Sequence, residues 1–181
     1  MLKLLIITIA HLALVFTSLA ACATSKEEWE EYSNVGAYGL AYLAIATPTF
    51  KGDWQALMEF SLSAALTKGI IGIGKDRIYA KRPDDRDSNS FPSSHAGLAF
   101  SAATALHKQY GPNYGVPAIF VATLASISRV KAEQHYYEDV IAGALIGSVI
   151  SWNLTTNQND SIRFQPVMGE RRVGISVTIL W

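Results

Sequence analysis

Charge is sparse in this sequence. Only 17% of its 181 residues are Asp, Glu, Lys or Arg, against roughly 25% in ordinary soluble domains. The charge present is balanced, 15 basic against 15 acidic residues, so no basic surplus points to nucleic acid as a partner. Cysteine occurs once, at Cys22, which excludes an intramolecular disulfide. No internal repeat, no low-complexity tract and no carboxylate cluster at metal-ligand spacing is present, so no metal is implied. Hydrophobic residues make up 50% of the chain, which places it between a soluble and an integral membrane protein. Its length suits one domain with a core that needs no staples.

The apolar run is N-terminal. Lys3 precedes apolar residues 4–21, the pattern of a secretory signal peptide. Three readings of it stay open. Leu19-Ala20-Ala21-Cys22 resembles a lipoprotein processing site that would lipidate Cys22; Ala21-Cys22-Ala23 reads as an ordinary cleavage site; and the run approaches the length of a membrane helix. Each places the remainder in a bacterial cell envelope, with membrane contact and the working site on the periplasmic side. The expected organisation is a leader at 1–22, a helical domain at 26–153 and a tail with strand character at 154–181.

Apolar, small-residue stretches predict helices over 35–46, ended by Pro48, and over 54–73, capped by Asp53. Further helices are expected over 93–111, 116–129 and from 135 or 136 to 152. Ala, Gly and Ser dominate them, which suits close helix contact. In the tail, Val173, Ile175, Val177, Ile179 and Trp181 alternate with more polar residues, the period of a strand. Ile162 and Phe164 are its expected partner across a turn at Met168-Gly169-Glu170. The fold class is therefore all-α, a bundle of about five to six helices with a short C-terminal hairpin or strand.

Three segments carry chemistry: Lys75 to Pro83, with Lys75 and Arg82 seven apart; Pro92-Ser93-Ser94-His95; and Ser128-Arg129 followed by His135 and Asp139. Phosphate esters hydrolyse very slowly, so catalysis needs charge stabilisation and a good nucleophile. Lys75 and Arg82, if helical, lie two turns apart on one face and grip one phosphate, with Pro83 stopping the helix. Arg129 adds a planar fork that fits two phosphate oxygens. Ser93 and Ser94 open a helix, where free amides and the dipole favour an anion. His135 and Asp139, four apart, share a helix face, so the carboxylate fixes the tautomer and frees the other nitrogen to attack phosphorus. His95 is then the acid for the leaving alkoxide. Singly, each feature also fits a plain structural role: a solvated helix end, an N-cap, a surface ion pair. Together they point to one phosphate site.

These segments resemble the signature of the type 2 phosphatidic acid phosphatase superfamily over residues 53–152. That superfamily includes bacterial acid phosphatases, lipid phosphate phosphatases and vanadium haloperoxidases. The resemblance implies a helical phosphatase with a phosphohistidine at His135, oriented by Asp139. Lys75, Arg82, Ser93, Ser94, His95 and Arg129 match its phosphate contacts, with His95 also the acid. It implies no metal and no cofactor, and vanadate is expected to bind as a phosphate mimic. Ser94 stands where the family usually has Gly, so a side chain is expected to crowd the cradle. A vanadium-dependent haloperoxidase and a non-catalytic anion-binding envelope lipoprotein are the competing readings. An apolar groove beside the site would favour lipid phosphates or pyrophosphates, and a polar mouth soluble esters.

Overall fold

The structure is a computed structural model. It describes residues 25–157 with their side chains and the backbone of 162–169 and 172–179. The expected leader, including Cys22, lies outside the described residues.

Five helices follow one another: α1 (Lys26–Lys51), α2 (Trp54–Arg77), α3 (Ser94–Tyr110), α4 (Pro112–Lys131) and α5 (Tyr137–Leu154). Two backbone strands follow, β1 (Ile162–Gly169) and β2 (Arg172–Ile179), paired antiparallel with Ile162 opposite Ile179 and Gly169 opposite Arg172. Glu170 and Trp181, parts of the expected turn and strand, are not among the described residues.

Local chemistry explains the helix ends. Ser25 accepts the Glu28 amide at 3.2 Å, and the Glu28 carboxylate accepts the Ser25 amide at 3.0 Å. This reciprocal cap starts α1 well before residue 35, because it satisfies two otherwise unpaired donors. Nor does Pro48 end α1. It sits in the last turn, where one lost amide bond is tolerable, and the helix stops at Gly52 with φ +69°. Asp53 caps α2 as expected, accepting the Ala56 amide at 3.1 Å. Pro112 fills the first position of α4, where its missing N–H costs nothing, so α4 begins before residue 116.

Helix α3 lies in the middle, packed against all four others. Its Ala96, Ala99, Ala102, Ala103 and Ala105 are fully buried. The core gathers Leu40 of α1, Phe60 of α2, Leu106 of α3, and Tyr114 and Val121 of α4 around it. Against α5 the approach is backbone to backbone. A Cβ added to Gly143 would lie 2.2 Å from the Ser93 carbonyl oxygen, and one on Gly147 would lie 2.1 Å from that of Gly97. One step further along, Ser151 donates to the Ser101 carbonyl at 2.8 Å. At that far end the Glu59 carboxylate accepts from Gln55, from the Thr156 hydroxyl and from the Thr156 amide at 2.7 to 2.9 Å, fastening the end of α5 to α2.

Large apolar side chains remain outside. Met58, Leu62, Leu66, Ile70 and Ile73 form an exposed stripe on α2, and Ile141, Leu145, Val149 and Trp152 another on α5. Helix α2 is long and apolar enough to cross a membrane by length and composition.

Candidate active site

One end of the bundle collects the chain segments expected to carry the chemistry. There α2 and α4 end, and α3 and α5 begin. Lys75 occupies the last turn of α2 and donates to the Asn89 carbonyl. Arg82 does not share that helix, contrary to the expectation of two turns on one face. Helix α2 stops at Arg77, Ile78 is extended, and Arg82 arrives on the following segment. There its Nε donates to Asp87 at 2.7 Å and its Nη1 to the Gln134 carbonyl at 3.1 Å. Asp87 thus aims a cation that no helix holds. The Asn89 amide, and after it the Arg82 guanidinium, keep the Asp87 carboxyl below its ordinary range.

Ser93 caps α3, accepting the Ala96 amide, and its own amide donates to the Asp139 carbonyl at 2.9 Å. This main-chain link ties the start of α3 to the start of α5. Ser94 is exposed. Its side chain lines a groove beside His95.

His135 and Asp139 are buried, 2% and 4% exposed. They do not lie on one helix face, because α5 begins only at Tyr137. The Asp139 carboxylate instead folds back to accept the Tyr136 amide at 2.9 Å, and its Oδ2 stands 3.6 Å from His135 Nδ1. Ser90, from the loop before α3, donates its hydroxyl to the same oxygen and lies 3.5 Å from His135 Nδ1.

Arg129, near the end of α4, is only 4% exposed, yet its Nε and Nη1 have no hydrogen-bond partner among the described residues. Nε2 of His95 is likewise buried without one. The electrostatics place all three cations around both rings. Burial pushes His135 down to about 3, with Arg129, Arg82 and Lys75 acting the same way. Burial and the same three cations, opposed by Glu30, take His95 to about 4. Burial also lowers Arg129 to about 10 against the pull of Glu30. Desolvation and Arg82 lower Lys75. Crowding like charges and neutral imidazoles together in this way favours an anion.

A groove of about 320 Å³ opens beside His95. Tyr38, Ala64, Thr67 and Leu98 line it, with Lys68 and Ser94 at its polar edge. The Tyr38 ring meets His95 edge-on, with centroids 5.5 Å apart. Sequence reasoning missed Ser90, Asp87, Glu30 and Tyr38. Only Asp87 carried a signal, as a carboxylate close to an expected phosphate-binding arginine. Among the described residues no three His, Cys, Asp or Glu side chains converge as a metal site.

Comparison with known proteins places the chain in a family. The family model of the PAP2 superfamily matches residues 10–163. The chain is 35% identical over 118 residues to the lipid A 1-phosphatase of Porphyromonas gingivalis, covering 61% of this chain and 26% of that protein. It is 36% identical over 111 residues to the lipid A 4'-phosphatase of Helicobacter pylori strain J99, covering 55% of this chain and 54% of that protein. The chain therefore spans about a quarter and about half of the lengths of these relatives. The crystal structure of Aquifex aeolicus LpxE has the same fold, with a TM-score of 0.63 at 18% identity over 77% of this chain and 92% of that one.

Proposed function

This chain belongs to the PAP2 superfamily, and from that premise we propose that it is a lipid phosphate phosphatase working through a phosphohistidine at His135. In the first step Nε2 of His135 attacks phosphorus, the P–O ester bond breaks, and His95 gives its proton to the departing alkoxide. In the second, water attacks phosphorus, His95 takes its proton, and the N–P bond breaks to release inorganic phosphate. Asp139 orients His135. Lys75, Arg82 and Arg129 neutralise the charge that develops on the phosphoryl oxygens, with the Ser94 amide at the start of α3. Three basic side chains carry that load, so the reading calls for no metal.

The observation that carries the proposal is the buried guanidinium of Arg129. Unpaired buried donors cost about 1–3 kcal/mol each. A phosphate dianion would satisfy them together with His95. The depressed pKa of His135 suits a nucleophile, since only the neutral ring has a lone pair to give. That of His95 means its proton is held only once the phosphate dianion is present.

The groove beside His95 supports a lipid rather than a soluble ester. The apolar stripes of α2 and α5 support association with a membrane, as do the substrates named for the two relatives. The reading places the protein in the bacterial envelope with its site on the periplasmic side, and Cys22 remains the candidate for lipid attachment.

The test is release of phosphate from lipid A, phosphatidate and p-nitrophenyl phosphate by the purified protein and by His135→Ala, with and without EDTA. Hydrolysis favouring the lipids, abolished in the variant and untouched by EDTA, is expected. Failure to hydrolyse any phosphate ester would refute the proposal; inactivation by EDTA, reversed by zinc or magnesium, would refute its metal independence.

A further inference from the structure

We infer that Ser90 is a positioning residue for the nucleophile, its hydroxyl locking the His135 ring and the Asp139 carboxylate into one unit. The inference rests on the reading of His135 as nucleophile. Ser90 is 0% exposed. The peptide unit before it is fixed at both its polar groups. Its amide donates to the Ala80 carbonyl at 2.9 Å, and the carbonyl just before it, of Asn89, receives Lys75. A side chain held this firmly in a loop, directly before the phosphate cradle, has one place to point.

That place is the back of His135. Asp139 Oδ2 faces Nδ1 at 3.6 Å. The Ser90 hydroxyl donates to that oxygen and presents its own lone pairs at 3.5 Å from Nδ1. It is therefore placed to relay the carboxylate's hold to the imidazole. A proton kept on Nδ1 leaves the lone pair on Nε2, the nitrogen that attacks. A hydrogen bond between the Ser90 backbone and His135, which works against the lowering of the ring's pKa, survives any side-chain replacement. Removing the hydroxyl should thus weaken ring orientation without abolishing it.

The same hydroxyl supplies the second donor to Asp139 Oδ2, after the Tyr136 amide. None of the phosphate-binding groups touches Ser90 through its hydroxyl, so substrate affinity should stand apart.

The experiment compares Ser90→Ala, Ser90→Thr and Ser90→Val on a lipid phosphate and on p-nitrophenyl phosphate. Inhibition by vanadate and thermal melting are measured alongside. Thr and Val fill nearly the same space and differ by one hydroxyl, so any overpacking is common to both. The expected result is a kcat lower by about 10–100-fold in Ala and Val, as for lost orienting partners elsewhere. KM and the vanadate inhibition constant should stay within about twofold, and Thr should recover at least tenfold in kcat over Val. Equal rates for Thr and Val would overturn the inference. So would a proportional loss of kcat, vanadate affinity and melting temperature, which would make Ser90 mere packing. Should the wild type itself release no phosphate, the proposed function fails first, and Ser90 has no nucleophile to position.

Discussion

Replacing Gly143 by Ala adds a single methyl group to α5, at the point where it crosses α3. That Cβ would sit 2.2 Å from the Ser93 carbonyl oxygen, 3.2 Å from its carbonyl carbon and 3.3 Å from the Gly97 amide nitrogen. Ordinary non-bonded contacts begin near 3.4 Å, and all three neighbours are main chain, with no rotamer to turn aside. The helices must part by roughly 1 Å. Overpacking of this kind costs about 1–3 kcal/mol, which for a domain of this size lowers Tm by about 2–12 °C. The larger effect should be on rate. Ser93 is also the residue whose amide meets Asp139 at 2.9 Å, so separation there moves the phosphate cradle away from the nucleophile. A misplacement of about 1 Å can cost ~100-fold in rate. The assay is kcat with p-nitrophenyl phosphate and a melting curve in the same buffer. Gly39→Ala in α1 serves as control, since a Cβ there meets nothing within 4 Å and should stabilise by ~0.5–1 kcal/mol. A Gly143→Ala protein with the rate and Tm of wild type would refute the idea that the α3–α5 approach sets the site.

Arg129→Met should lower kcat/KM by ~100-fold or more while leaving Tm equal or higher, because it removes a buried cation with unpaired nitrogens; melting curves and rates on one preparation check both. Acidification should destabilise the fold. His95 and His135 have folded pKa values of about 4 and about 3, below the unfolded value of 6.5, so the unfolded chain takes up their protons first. Stability is complete above pH 6.5 and declines towards pH 4 and below; the His95 shift alone is worth on the order of 3 kcal/mol. Melting of His95→Ala and wild type across that range measures it, and parallel curves would contradict the assignment. Glu59→Ala should lose about 1–3 kcal/mol of stability, by freeing Thr156 and Gln55, yet keep kcat, since it acts at the opposite end; a melting curve with rates separates the two.

The residues that gather at the candidate site were legible in the sequence because they stand out by residue type. Two arginines, a lysine, two histidines and a carboxylate at fixed spacings announce an anion site, and the helical segments between them are long and strongly apolar. Backbone path was less legible. Ser25 and Glu28 spell a capping pair, but the polar residues between Lys26 and Tyr32 hid the helix they begin. Arg82 sits where a helical period would put it, although α2 stops five residues earlier. Ser90 was out of reach because its partners lie 45 and 49 residues away; no local pattern distinguishes it from the loop serine at position 88. The groove at Tyr38 depends on how α1 and α2 pack beside α3, which spacing along one helix cannot reveal.

The bond between the Ser93 amide and the Asp139 carbonyl uses no side chain at all. Replacing either of its own residues would pass over it, since every residue but proline supplies the same two groups. Only an ester linkage in place of the amide at position 93, or proline there, would expose its worth. The two halves of the pocket are thereby kept in register by something that substitution can scarcely erode. Side chains around it can be exchanged while the two peptide groups that set the spacing between cradle and nucleophile remain.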